Sequence, residues 1–360
     1  MNKFFVSILL AITFVIGLLP ETATADPQSD MAALKQALER IGEGIPENPR
    51  QDRSPAHRGV YNVMEFGAKG DGIADDTQAI QNALNAAYYD GGGIVNMPTG
   101  AFLVKTHLTI PSNVTLEGVW RKPHWGQTDY STKDLPKRMG TILLAVEGQG
   151  DPEGTPFITL GGRATDDTSG GFVPHVNAAI SGLSIHYPEQ IRANPPHAYP
   201  WTIRGTGDDC GIMNVNIMNC YQAVDFGSHP CGRHYVDGLY AYPFKTGIYV
   251  NACFDVGRLN NIHFWPFFDL DPNSPLWKYT RANGTAFRFG RTDGELVSNS
   301  FCIFYNIGAH LIGGPIRMNG PNEPARYEYQ GGAAAFTNVY LDVATTAVGG
   351  RQYGKFRVQL

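Results

Sequence analysis

At 360 residues, with 42 glycines and only 17% charged residues, the chain has the composition of a β-protein with many tight corners rather than a helical one. By length it could be one large or two ordinary domains, and a solenoid escapes that rule by adding turns. The net charge of −5 and the lack of a basic cluster argue against a nucleic-acid partner.

The first 25 residues read as a signal peptide: Lys3 supplies a positive start, 4–19 is an apolar run, and Ala23-Thr24-Ala25 is an A-x-A cleavage site before Asp26. An uncleaved anchor is the competing reading. The expectation is cleavage after Ala25 and a secreted or periplasmic protein. No Cys near the junction suggests a lipid anchor, and no later run is long and apolar enough to span a bilayer. Residues 26–58 are polar and rich in Pro and Gln, with a short helical pattern at 31–41, and read as an extended arm.

The domain proper, 59–360, opens with a strand at Val60-Tyr61-Asn62-Val63 and a Gly-rich turn at Gly67-Ala68-Lys69-Gly70. Asp75 reads as a helix cap with Gln78 at the box position. Ile80, Ala83, Leu84 and Ala87 form one apolar face. A single amphipathic helix before many strands suits a lid on the end of a coil.

The runs FGAKGDGIADDTQAIQNAL (66–84) and GGGIVNMPTGAFLV (91–104) resemble the N-terminal signature of the pectate lyase superfamily, in its rhamnogalacturonase/epimerase-like branch. The resemblance implies an all-β fold: a single-stranded right-handed parallel β-helix with a short N-terminal capping helix. It does not choose among lyase, hydrolase, epimerase and tailspike. Asp71, Asp75 and Asp76 read as turn and cap residues.

Strands are expected at 102–110, 113–118, 141–146, 157–160 and 179–187, interrupted by loops at 120–138 and 163–175. Such loops can wall a cleft, and Trp120, His124 and Trp125 are candidates to line it. Residues 199–268 then carry a repeat: Val215 to Leu239 is 24 residues and Leu239 to Ile262 is 23. That is the period of a stacked solenoid. Cys210, Cys231 and Cys253 keep nearly the same spacing and read as small buried side chains on successive turns rather than bridges. No CxxC or His/Cys spacing suggests zinc, so no metal ligand is expected. Further strands are expected at 287–289, 296–304, 309–312 and 336–342, with a loop at 269–283. At the C-terminus the last strand either folds over the end of the stack or the sequence is an incomplete member of its family.

Aligning the turns stacks Asp208 and Asp209 over Arg233 and His234 over Asp255 and Arg258 at one corner. At about 4.8 Å per turn, Asp209 and Asp255 should lie about 9.6 Å apart. Three readings follow. One is a structural charge ladder. The second is an inverting glycoside hydrolase, which places two carboxyls about 6.5–9.5 Å apart. The third is a uronate lyase or epimerase, with Arg233, His234, Lys245 and Arg258 as bases and cations, and Ca2+ held by Asp as an option.

Gly207-Asp208-Asp209-Cys210 also resembles the Gly-Asp-Asp element of the polygalacturonases, with His229 near the place of their Gly-His-Gly. The Asn-Thr-Asp and Arg-Ile-Lys elements are missing here. Asp225, in an apolar run, is a second candidate acid, with a turn aspartate as the plainer reading; Asp237 is another. Tyr242, His263, Trp265, Trp201 and Trp125 are candidate sugar-stacking or substrate-binding groups, as is Lys245. The overall expectation is an exported enzyme acting on an acidic, pectin-like polysaccharide, with hydrolysis ahead and needing no cofactor. Lyase or epimerase chemistry and a non-catalytic binding or adhesion solenoid are the alternatives.

Overall fold

The computed structural model describes residues 59–124, 138–161, 175–317, 326–350 and 357–359. The signal-like segment, the N-terminal arm and Trp125 lie outside the described residues.

Helix α1 (Thr77–Tyr89) buries Ile80, Ala83, Leu84 and Ala87 completely, the apolar face expected from the spacing. Its cap differs by one residue. Asp76 is the N-cap, and its buried carboxylate accepts from the Lys69 and Gly70 amides rather than from the helix. Asp75 accepts from the Thr77 amide and hydroxyl, and Asp71 from the Ile73 and Ala74 amides. All three aspartates therefore shape backbone, as their reading as turn and cap residues requires.

The chain winds as a right-handed parallel β-helix, its described strands falling into one sheet of thirteen, sheet A, one of eight, sheet B, and a two-stranded ribbon. The course is regular: Trp201–Gly205 lies in sheet B, Gly211–Ile217 in A, Gln222–Phe226 in B, Tyr235–Ala241 in A, Thr246–Val250 in B and Cys253–Phe264 in A. Val215 pairs with Leu239 and Leu239 with Ile262, so the 24- and 23-residue period is the turn of the coil. Inside, Val215 and Leu239 of sheet A and Ile203, Val224, Ile248 and Phe287 of sheet B belong to one core and are wholly excluded from solvent. Each such side chain stabilises the coil by about 1.5–3 kcal/mol.

Two rows of left-handed residues set the corners. Gly182, Asn214, Gly238, Asn261, Asn299 and Asn338 have φ between 49° and 78° and sit one above another by register. They bend each strand of sheet A at one level, and Asn338 Nδ2 donates to Asn299 Oδ1 at 3.2 Å. Asn113, Asn177, Asp209 and Arg233 form a second row at the entry to sheet A, with φ from 48° to 67°. Asn and Asp tolerate this conformation better than other side chains that carry a Cβ.

Two expectations change. Residues 269–283 are not all loop: Ser274 caps α2 (Pro275–Asn283), with Pro275 at the first helical position. The strand Arg357–Gln359 does not fold over the end but adds in parallel to Ala333–Asp342. Five cysteines, Cys210, Cys220, Cys231, Cys253 and Cys302, are buried and unbridged.

Candidate functional site

The expected corner column forms. Arg233 Nε and Nη2 donate to Asp209 Oδ1 and Oδ2, both at 2.8 Å. Its guanidinium also lies 3.2 Å from Asp208 Oδ2 and 3.4 Å from Asp255 Oδ2. Asp209 is further bonded to His175 Nδ1 at 2.9 Å, and Asp208 Oδ1 accepts from the Gly232 amide. The Arg233 hydrogen bonds hold the Asp209 carboxyl below its ordinary range, against burial. One cation thus serves three carboxylates. Asp209 also occupies the left-handed corner position that Asn113 and Asn177 fill on other turns, so its identity has a backbone reason.

Other candidates leave the column. His234 points into the coil, fully buried and stacked on Phe226. Arg258 pairs by register with Tyr235 rather than Arg233, and donates to Val256 O from an exposed position. Asp225 is wholly buried, but it is no spare acid. Arg204 Nε donates to Oδ2 at 2.6 Å, and the Gly227 and Ser228 amides donate to Oδ1. The turn-aspartate reading holds. Asp237 accepts from Tyr235 and Asn260. His229 is half-buried in the segment after Gln222–Phe226.

The proposed binding residues separate. Tyr242 is core, packed in a satellite cluster with Phe244, Phe268, Leu276, Trp277 and Tyr279. Lys245 lies where sheet A hands over to sheet B, the opposite corner from Arg233. On the outer face of sheet A, His263 stacks between Tyr240 and Phe301, with Trp265 beside it. Burial, with the Lys122 charge adding, lowers the His263 imidazole. Trp201 stacks on Tyr249 over sheet B.

That last contact leads to a second candidate site, one not expected from the sequence. Along the outer face of sheet B, register places Arg204, Asp225, Tyr249, Arg288 and His310 on five successive strands. Tyr249, Arg288 and His310 floor a cleft of about 740 Å³, walled by Ile312, Gly313, Pro315 and Tyr329. Pro315 and Tyr329 come from an antiparallel ribbon, Gly314–Arg317 with Tyr327–Gln330. The Arg288 guanidinium lies 4.7 Å from the Tyr249 ring centre. Burial raises the Tyr249 phenol against the pull of the Arg288 charge, and Asp225 and Tyr329 add to the rise. Among the described residues the cleft lining holds a cation, an imidazole and two phenols and no carboxylate. One signal existed in the sequence: Tyr249 follows Asp225 by 24 residues, the repeat itself.

A second unexpected cluster is internal. His234 Nε2 lies 3.0 Å from Glu295 Oε1, and Cys253 completes a group whose ligand atoms lie within 4.8 Å of one another. All three are fully buried. Ca2+ asks for six to eight oxygens. The corner aspartates instead spend theirs on Arg233, His175 and backbone amides, so the described column does not fit that ion.

Comparison with known proteins agrees with the coil. A family model described as rhamnogalacturonase A/epimerase, pectate lyase-like, matches residues 60–134. The tailspike of E. coli bacteriophage HK620, solved with a pentasaccharide, superposes with a TM-score of 0.51 at 13% identity, over 83% of this chain and 50% of that one. The chain is a parallel β-helix protein whose residues 60–134 resemble that pectate-lyase-like family. Mannuronan C5-epimerase AlgE5 of Azotobacter vinelandii is 51% identical over 141 residues, covering 35% of this chain and 14% of the relative. Alginate lyase 7 of the same organism is 33% identical over 141 residues, covering 35% and 16%. This β-helix therefore spans a small part of the curated relatives it matches.

Proposed function

We propose that the sheet B cleft abstracts the proton beside the carboxylate of a polyuronate, as a lyase or a C5-epimerase does. The observation that carries the reading is a cleft of about 740 Å³ holding Arg288, His310 and Tyr249, with no carboxylate among the described lining residues. Hydrolysis, the leading expectation from the sequence, needs two carboxyl groups flanking the bond. The aspartates expected to serve it are ion-paired elsewhere. Similarity to epimerases and a lyase acting on mannuronan and alginate supports the same class.

In this reading Arg288 pairs with the uronate carboxylate and stabilises the charge that develops when the C5 proton leaves. His310 takes that proton; imidazole is the side chain whose neutral form is abundant near pH 7. Tyr249 stays protonated and returns a proton. Delivered to the leaving oxygen as the C4–O bond breaks and the C4–C5 double bond forms, it gives elimination. Delivered to the opposite face of C5, it gives the epimer. Exposed Tyr329 extends the aromatic surface for neighbouring sugar rings, while Trp201, buried beneath Tyr249, packs against the floor.

The test is incubation of the protein with mannuronan, polyguluronate and polygalacturonate in D2O. Deuterium at C5, or ultraviolet absorbance from an unsaturated end, is the expected result, lost in His310→Gln and Tyr249→Phe. New reducing ends without unsaturation would restore hydrolysis. Binding with no exchange and no cleavage would establish the non-catalytic solenoid instead.

A further inference from the structure

Within the coil, His234, Cys253 and Glu295 come from three successive strands of sheet A or their approaches, far apart in sequence and fully buried. His234 Nδ1 lies 2.8 Å from Cys231 O. A carbonyl oxygen only accepts, so Nδ1 carries a hydrogen and Nε2 is the atom turned toward Glu295. Nε2 and Glu295 Oε1, 3.0 Å apart, can meet only with a proton or a metal ion between them. Glu295 Oε2 is buried without a hydrogen-bond partner, which is costly for a carboxylate oxygen. The backbone makes room for this grouping at Gly257, where any Cβ would overlap His234 Nε2 and Glu295 Oε2.

We propose that His234, Cys253 and Glu295 form a structural site for a zinc-like divalent cation inside the coil. The donors are imidazole nitrogen, thiolate sulfur and carboxylate oxygen, the set that suits zinc rather than calcium or magnesium. They occupy three corners of a tetrahedron, the unpartnered Glu295 oxygen adding a fourth donor atom at the same corner as its twin. Zinc bonds of about 2.0–2.3 Å put tetrahedral ligand atoms about 3.3–3.8 Å apart. The His234–Glu295 pair needs to open by a few tenths of an ångström, and the Cys253 sulfur, which donates to Asp255 O at 2.8 Å, must turn in from within 4.8 Å.

Charge suits a divalent ion: bound as neutral imidazole, carboxylate and thiolate, the three ligands carry two negative charges, which the cation balances, so no uncompensated charge sits in the core. The hydrogen bond to Cys231 O and the stack on Phe226 at 4.6 Å orient the imidazole as a metal-bound histidine is usually oriented. Because no ligand is exposed, the ion enters as the chain folds and exchanges slowly afterwards.

The experiment is to produce the full chain in medium where cobalt replaces zinc, then measure bound metal and the absorption spectrum. About one ion per chain and a thiolate-to-cobalt charge-transfer band are expected. Cys253→Ser should abolish the band, and Glu295→Gln should weaken metal affinity about tenfold or more. Asp209→Asn, a surface control, should keep both. The wild-type protein alone can overturn the proposal, by binding no stoichiometric metal and showing no such band. Survival of the band in Cys253→Ser would overturn it equally. In either case the cluster is an imidazolium–carboxylate pair.

Discussion

The corner of sheet A and the outer face of sheet B are built by the same repeat, and both carry charged side chains on successive turns. At the corner, Arg233 is shared by Asp208, Asp209 and Asp255, and His175 takes what remains of Asp209. In the cleft, Arg288 faces a tyrosine ring, and among the described residues no carboxylate pairs with it. The denser cluster is the quieter one. Opposite charges that satisfy each other leave little to offer a substrate, whereas a cation held beside a protonated phenol and an imidazole can accept an anion. Charge count alone favours the corner, whereas unspent charge favours the cleft as the proposed site.

Substitutions can break or sharpen that contrast. The largest effects should come from Arg288→Gln and His310→Gln, which should lower polyuronate turnover by about 10²–10⁴-fold with thermal midpoints almost unchanged. If both variants keep wild-type turnover, the cleft is not the site. Tyr249→Phe should cost slightly less. In the wild type, the alkaline limb of the pH–rate profile should lie above the ordinary tyrosine value of about 10, because burial raises this phenol. That limb should vanish in the phenylalanine variant.

Arg233→Ala should do the reverse, leaving turnover intact while lowering stability by about 1 kcal/mol in urea, a modest figure because the pairs are partly screened. Its pH dependence has a definite sign. Asp209 is depressed in the folded state, so its contribution is present above the unfolded value of about 4 and is lost as pH falls below it. Removing Arg233 should flatten that acid-side loss. Asp209→Asn should have the smallest effect, since asparagine fills this left-handed corner on other turns at Asn113 and Asn177. A large loss of turnover in Asp209→Asn would return the chemistry to the corner.

Much of the architecture was legible in order of residues. The 24- and 23-residue spacing of Val215, Leu239 and Ile262 is the register of sheet A, and the spacing of Ile80, Ala83, Leu84 and Ala87 is the buried face of α1. Both are local periodicities, readable because strands and helices repeat at fixed intervals. The stacking of Asp209 on Arg233 was legible for the same reason. Less visible were the short strands of sheet B, such as Thr246–Val250, since each turn was counted by its sheet A strand alone. Glu295 carried a warning that was overlooked. It alternates with exposed Leu296 and buried Val297, so an acid at that position faces the core.

The sequence by itself therefore determined the coil, its capping helix and the corner ladder, because each follows from a repeat interval. Tertiary structure decided which side of each strand faces a cleft, and which inward residues of different turns meet. Arg288 follows Tyr249 by 39 residues, an interval stretched by α2 and its flanking segments, and His310 follows Arg288 by 22, so no single period aligns all three. Only the hydrogen-bonded register of sheet B brings them together over one cleft, and only the closing of the coil turns His234, Cys253 and Glu295 onto one another.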